Sequence, residues 1–543
     1  MARGGIRQMP RYRSPVFPFV RPPELDGRAG RRWPVAIVGA GPVGLAAAID
    51  LALHGIASVV IDESDVVSAG SRAICWSKRT LEIFDRLGVG DRMVAKGVTW
   101  KVGRLFHRDQ EVYAFDLLPE AGHKRPAFIN LQQYNVEEYL VERARDFPDL
   151  IELRFMSRVS GAGQEHDHAW LDIETPEGAY RLSADYVVAC DGVRSTVRRR
   201  LGLDFVGRAF EERFLITDVE MAAEFPSERW FWFEPPFHDG QSALLHKQPD
   251  NIYRIDLQLA PDADPEVERR PERVIPRIKA MVGERPFEVD WISVYSFQCR
   301  RLERFVHGRV IFAGDSAHIV SPFGARGGNG GIQDVDNLCW KLAAVVKGEA
   351  PPALLETYNL ERIHGADENI LNSARATSFM TPKSPMERLF RDEVLALAGT
   401  HPFARQLVNS GRLSRPCSLT GLPLGAPDET GIGGAMVPGA PCLDAPIRTA
   451  DGRDSWLLDH LGGSFVALGF ERLPPTPPGV RRLTVGETGD LVDAHGLLAA
   501  RYGGAWGVVY LIRPDQHVAA RFRHPTAADM ASALARANGR VHA

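Results

Sequence analysis

Cysteine is scarce and unpaired: the six (Cys75, Cys190, Cys299, Cys339, Cys417 and Cys442) are scattered through 543 residues with no C-x-x-C. That spacing excludes a disulfide framework and a cysteine zinc site, and thiols of this kind suit a reducing cytoplasm. Charge of one sign is also lacking. The formal net charge of -4, from 69 acidic and 65 basic residues, gives no global field for nucleic acid. Long apolar runs are missing as well, so no segment reads as a membrane span. Arg31-Arg32 ahead of the uncharged residues 33–49 resembles a twin-arginine export signal, but that stretch holds three glycines and two prolines and then meets Asp50. No internal repeat is present. What the chain does have is length for several domains and 44% hydrophobic residues, enough for a large core.

Residues 1–32 carry eight arginines and five prolines and read as an extended arm ahead of the folded body. Directly after them, Val35-Ala36-Ile37-Val38 is a short buried-type strand that runs into Gly39-Ala40-Gly41-Pro42-Val43-Gly44. A helix follows to about His54, with Gly55 as its stop. In such a unit the first glycine makes the tight turn, the second lets backbone approach a pyrophosphate, and the third lets helix and strand pack. Pro42 and Val43 open the helix whose N-terminus favours phosphate. A second strand ends at Asp62, 23 residues past Gly39, where a carboxylate can accept hydrogen bonds from an adenosine ribose. Glu63 is the adjacent alternative.

The fingerprint alone does not separate NAD from FAD. Two later segments do: a strand into Cys190-Asp191-Gly192, and a strand into Gly314-Asp315-Ser316-Ala317-His318 followed by residues 321–331, rich in glycine, and a helix from about residue 332 to 347. At these residues the chain resembles the class A flavoprotein monooxygenases, the FAD-dependent aromatic hydroxylases similar to 3-(3-hydroxyphenyl)propionate and phenol hydroxylases. Arg72-Ala73, Gln133 with Glu137, and Leu355, Tyr358, Glu361 and Arg362 belong to the same resemblance, which covers residues 33–418 and, more weakly, 434–522.

The resemblance implies an α/β multidomain fold: a Rossmann-like FAD-binding domain with an inserted β-sheet substrate domain and a thioredoxin-like C-terminal domain. Its expected boundaries are an extension over 1–32, FAD-binding segments 33–202 and 300–420, a substrate domain 203–299 joined by strands near 102–130, and a C-terminal domain 434–543 without redox cysteines. Non-covalent FAD would meet Gly39, Gly41 and Gly44 at the pyrophosphate and Asp62 at the ribose. Arg72 and Gln133 would hold the pyrophosphate and ribityl region, with Asp191 beside them and Asp315, after Gly314, on the ribityl chain. Gly327, Gly328 and Asn329 would present N–H groups to the flavin, with Pro322 beside the reacting ring. Relatives commonly carry a bulkier residue at the position of Gly328.

The activity so implied is hydroxylation of a phenolic or similarly activated aromatic compound with O2 through a flavin C4a-hydroperoxide. NADPH or NADH would act as a transient co-substrate, since the chain has no second dinucleotide fingerprint. No metal, nucleic acid or membrane is expected as partner, and the sequence allows a homodimer without fixing the oligomeric state. Within the insert, the alternation of Tyr253, Ile255, Leu257 and Leu259 marks a strand. His246 and Tyr253 are candidates to assist a phenol proton; the alternative is a sheet histidine and a core tyrosine. Two rivals remain. Trp230-Phe231-Trp232-Phe233-Glu234-Pro235 nearly spells the halogenase W-x-W-x-I-P signature, with Lys78 as its candidate lysine. The other is a flavin-bound regulatory protein without turnover.

Overall fold

The computed structural model describes residues 5–6, 12–27, 30–68, 73–238, 240–260, 262–321, 324–408 and 413–540. Trp33–Val38, six residues with five buried, has no polar face and can only be a central strand. It pairs in parallel with Ser58–Ile61 on one side and with Gly178–Ala189 on the other. Val310–Phe312 and Ile151–Arg154 extend this parallel core, and Arg158–Gln164 with Ala169–Thr175 adds an antiparallel edge. The helix Pro42–Leu53 lies across it, buried at Leu45, Ala46, Ala47, Ala48 and Ile49. Those alanines leave room for the helix Gly327–Val346 on its other flank.

A second sheet of nine strands holds the strands of residues 206–301 together with Val102–His107, Gln110–Asp116, Gly5–Ile6 and His318–Ile319. Its faces part cleanly. Tyr253, Ile255, Leu257 and Leu259 pack with Val274, Ile278 and Val282 of the helix Pro271–Val282. Phe214, Ile216, Phe231, Phe233 and Leu244 turn the other way, toward Met380 at the end of the helix Leu354–Met380. A third sheet of seven strands spans residues 446–523 and carries the helix Ala527–Ala537.

A buried charge network joins this third unit to the first. Arg513 donates to Glu361 at 2.6 and 2.8 Å, and Lys341 Nζ donates to the same carboxylate at 2.7 Å. The described part of the N-terminal arm is docked: Phe17 is buried and stacks on Phe155 at 4.4 Å, and Tyr12 stacks on Tyr134 at 3.8 Å. Aromatic contacts thus hold a segment whose composition reads as a free arm. Among the described residues no helix is long and apolar enough to cross a membrane.

Candidate functional site

Gly39 has φ 104°, and a Cβ on it would come within 2.5 Å of Cys190 O. A Cβ on Gly44 would come within 1.9 Å of Gly39 O, so neither position admits a side chain. Gly41 differs: it is the N-cap of the helix Pro42–Leu53, has no side-chain cap, and its Cβ position has open space for 4 Å around. The result is an uncovered helix N-terminus, which suits a pyrophosphate. Val43 packs inward, against Gly314 and Gly331. Asp62 accepts from Ala40 N–H at 2.7 Å and from Ser64 N–H at 2.8 Å, which fixes the carboxylate beside the glycine turn. Glu63 is exposed.

Gln133 opens the helix Gln133–Ala144; its Oε1 accepts from Ala73 N–H at 3.1 Å and its Nε2 donates to Glu137 at 2.7 Å. It therefore braces the segment that follows Arg72, while Arg72 itself and Pro322 lie outside the described residues. Asp191 Oδ2 accepts from Val197 N–H at 3.1 Å, whereas the buried Oδ1 has no partner. Burial pushes this carboxyl above its ordinary value.

The turn that carries Asp315 is held from behind. Gly314, at φ 64°, donates its N–H to Asp334 Oδ2 at 2.9 Å. His318 Nε2 reaches the same oxygen at 2.6 Å, and Arg362 Nε meets Oδ1 at 2.7 Å. Burial works against charge on Asp334, yet His318 and Arg362 hold it below its ordinary value. Asp315 itself is exposed.

The helix Gly327–Val346 starts five residues ahead of the expected residue 332. Glycine disfavours a helix, but Gly331 must pass Val43, where a Cβ would be 2.7 Å from Val43 Cγ2, so close packing overrides propensity. Asn329 ties this helix end down: its Oδ1 accepts from Ser77 N–H at 2.9 Å and its Nδ2 donates to Cys75 O at 2.9 Å. The amides of Gly327, Gly328 and Asn329 belong to the first turn, which has no intrahelical acceptors. A Cβ on Gly328 would meet Ala73 and Trp76 at 3.5 Å, ordinary contact, so glycine is not required there. The glycine turn at Gly39 abuts Cys190 and Asp191, and Gly314 and Gly331 abut Val43, so two uncovered helix ends, the orphaned Asp191 oxygen and the turn of Asp315 lie close together, and these donors and acceptors fit FAD.

Beside that cleft lies a cavity with about 710 Å³ of empty space, part of it open to solvent, walled by Leu105, Phe231, Phe233 and Met380 and carrying Arg229 and Arg326. His246 is fully buried on the cavity side of the sheet, with Nδ1 4.0 Å from Cys75 Sγ. Burial first, then Arg229 and Arg254, push its imidazole well below the ordinary value. Tyr253 is corrected: it lies on the opposite face, packed in the core beneath the helix Pro271–Val282, and its hydroxyl donates to Ala223 O at 2.7 Å. A period-two pattern identifies a face but not which face meets the cavity.

The near-halogenase motif divides in the same way. Trp230 and Trp232 sit on the Tyr253 side with Phe225 and Phe237, and only Phe231 and Phe233 reach the cavity. Lys78 Nζ is paired with Glu82 one helical turn away. Residues that sequence reasoning missed are Arg229 and Asp256, both on the cavity side; no local motif marks either one.

Over residues 32–373 the chain matches the family described as FAD binding domain. It is 30% identical over 448 residues to the 3-(3-hydroxy-phenyl)propionate/3-hydroxycinnamic acid hydroxylase 2 of Burkholderia vietnamiensis, a match covering 81% of this chain and 80% of that protein. It is 29% identical over 504 residues to the 12-dehydrotetracycline 5-monooxygenase/anhydrotetracycline 6-monooxygenase of Streptomyces rimosus, covering 90% and 95%. Among solved structures, the flavin-dependent monooxygenase PieE with FAD and substrate superposes with a TM-score of 0.81 at 23% identity, covering 94% of this chain and 100% of that one. The p-nitrophenol 4-monooxygenase PnpA of Pseudomonas putida DLL-E4 gives 0.62 at 29% identity, covering 69% and 96%.

Proposed function

The chain belongs to the FAD binding domain family of flavin-dependent monooxygenases, and from that premise we propose that it hydroxylates a phenolic or similarly activated aromatic compound, with NADPH or NADH as reductant. The observation that carries this reading is the aromatic-walled cavity. It lies between the inner face of the nine-stranded sheet and Gly324 and Arg326, immediately ahead of the helix end that meets the glycine fingerprint. Bound there, FAD supplies the hydride acceptance and the activation of O2 that no side chain can provide.

The protein's own part is to hold and to shield. Gly41 and the helix end behind it receive the pyrophosphate, Asp62 the ribose and Asp315 the ribityl chain. The N–H groups of Gly328 and Asn329 would donate to the electron-rich edge of the ring when FAD is bound, and Asn329 holds this helix end through Ser77 and Cys75. Leu105, Phe231, Phe233 and Met380 exclude water and stack against an aromatic substrate. The Trp pair of the near-halogenase motif is packed away from this cavity, so nothing there favours halide chemistry.

The test has two parts. Acid-released cofactor should have the mass of FAD, and an aromatic substrate should accelerate NAD(P)H oxidation and gain one oxygen atom from labelled O2. Release of FMN, label from water, or incorporation of bromide would overturn the reading, and absence of NAD(P)H oxidation with every aromatic tried would indicate a flavoprotein without turnover.

A further inference from the structure

Residues 12–17 have the composition of a free arm, yet they are docked against the segment that begins at Asp62. That segment, residues 62–68, forms neither strand nor helix, so its order comes from what lies against it. At its start the backbone continues the ladder of the strand Ser58–Ile61: Asp62 N–H donates to Arg154 O at 3.0 Å, Ser157 N–H to Asp62 O at 2.7 Å, and Met156 N–H to Ser64 O at 3.0 Å. At its end the N–H and hydroxyl of Ser68 both donate to Glu137 at 2.7 Å, the carboxylate that also takes Gln133 Nε2. Its middle is held by the arm. Phe17 N–H donates to Asp65 O at 2.6 Å, and Ser14 Oγ accepts from Val67 N–H at 3.1 Å.

The arm has anchors of its own. Tyr12 donates its hydroxyl to Glu138 at 2.9 Å while its ring stacks on Tyr134, and Phe17 stacks on Phe155 with the Arg145 guanidinium 5.5 Å from its ring centroid. Farther along, Glu24 pairs with Arg154 at 3.2 Å. Pro15, Pro18, Pro22 and Pro23 restrict the chain between these anchors, so docking it costs less conformational entropy than an arm of ordinary residues would. Phe17 and Val67 are buried in the same core cluster, and undocking the arm would uncover both and leave the Val67 N–H without Ser14.

We propose that the docked arm, through Ser14 and Phe17, is a positioning strap for the adenosine-diphosphate half of FAD: it holds residues 65–67 and so keeps Asp62 in its binding arrangement. This rests on the reading that Asp62 meets the adenosine ribose, and it adds a control on that contact from a part of the chain outside the glycine fingerprint. Ser14 and Phe17 act through the segment and do not touch the cofactor. Arm docking and cofactor binding favour one arrangement of residues 62–68, so each must strengthen the other by the same factor. Without the arm only a fraction of the molecules hold the segment in place, and the apparent affinity falls by that fraction.

The test uses the full chain freed of flavin and reads binding by the quenching of FAD fluorescence, with ADP as competitor. Ser14→Ala should weaken FAD and ADP alike by about threefold to tenfold, as loss of one hydrogen bond does. Ser14→Ala combined with Phe17→Ala should weaken both by about tenfold to a hundredfold. Ser14→Thr, which keeps the hydroxyl, should bind both as the wild type does. The unfolding temperature of flavin-free Ser14→Ala should stay near that of the wild type, a combination that a merely stabilising contact would not give. Trypsin should cut after the exposed Arg13, and ADP should slow that cut in the wild type but not in the double variant. Unchanged affinities in the double variant, weaker FAD with ADP unaffected, the same loss in Ser14→Thr as in Ser14→Ala, or a cut at Arg13 indifferent to ADP would overturn the strap. Asp62→Ala separates the strap from the contact beneath it. Loss of ADP in Asp62→Ala without loss in the double variant would leave the ribose contact standing and remove the strap; wild-type ADP affinity in Asp62→Ala would overturn the contact and the strap with it.

Discussion

Gly331 and Val43 interlock: a Cβ on Gly331 would come within 2.7 Å of Val43 Cγ2 and 3.2 Å of Gly314 Cα. The two glycine-rich segments, far apart in the chain, therefore form one object in which each sets the position of the other's helix end. Gly331→Ala should push Val43 and the Gly314 turn apart and weaken FAD binding. Because the clash is with a stiff β-branched side chain, Val43→Ala in the same chain should recover much of the affinity. Flavin titration of the two single variants and the double variant checks this; an unrecovered double would place the strain at Gly314 instead.

Asp315→Ala removes the exposed carboxylate from the turn that Asp334 holds. A charge-assisted hydrogen bond contributes roughly 1.5–3 kcal/mol, so FAD affinity should fall by about ten- to more than a hundredfold. Asp334→Asn should weaken FAD as well, through loss of the bonds that fix Gly314 and His318, and should also lower the unfolding temperature of the flavin-free protein. Asp315→Ala should leave that temperature nearly unchanged, and the contrast separates a ligand contact from a positioning residue.

Arg513→Met leaves Glu361 and Asp515 buried with fewer partners and should cost about 3–5 kcal/mol of stability. The pH dependence has a definite sign. In the folded protein Glu361 is held at about 2 against an ordinary 4.5; burial opposes this, and Arg513 and Lys341 overcome it. Its stabilisation is thus complete above pH 4.5 and lost as pH falls toward 2. In Arg513→Met the slope of unfolding temperature between pH 4.5 and 2 should flatten, which acid titration by calorimetry measures.

The glycine turn was legible because glycine chemistry is local: Gly39, Gly41 and Gly44 announce a turn and a close approach within six residues, and Asp62 follows at a fixed distance. The early start of the helix at Gly327 was not legible, since only contact with Val43 makes helical glycines acceptable there. For Tyr253 the core alternative holds, and the sequence left the choice open for a different reason. Its strand and its face follow from alternation, but the helix Pro271–Val282 and the cavity compete for the two faces, and no pattern within one strand tells them apart. Arg229 and Asp256 come to the same face of the sheet only through the register of three strands, which sequence spacing does not encode. The docked arm belongs to the same class, because Phe17 and Tyr12 find Phe155 and Tyr134 across the fold.

The last prediction distinguishes Asp256 from His246 by pH. Asp256 is pushed from 3.8 up to about 6: burial raises it most, Asp218 adds to this, and Arg254 and Arg229 pull the other way. His246, His107 and Cys75 also lie on this side; burial lowers both imidazoles from their ordinary value and pushes the Cys75 thiol up to about 12. A breakpoint near 6 in kcat/KM that stays in His246→Asn and disappears in Asp256→Asn belongs to Asp256. Turnover should rise with pH through that value as the carboxylate becomes able to accept the aryl proton, and then level off. His246→Asn should leave the breakpoint in place, and Asp256→Asn should give a low, flat profile. Stability runs the opposite way. A carboxylate whose folded value exceeds its unfolded value costs nothing below about pH 4 and its full penalty above 6, at most about 3 kcal/mol here. Asp256→Asn should therefore unfold at a higher temperature than the wild type at pH 8 and at nearly the same temperature at pH 4. A breakpoint that moves with His246→Asn and persists in Asp256→Asn would return the proton to the histidine.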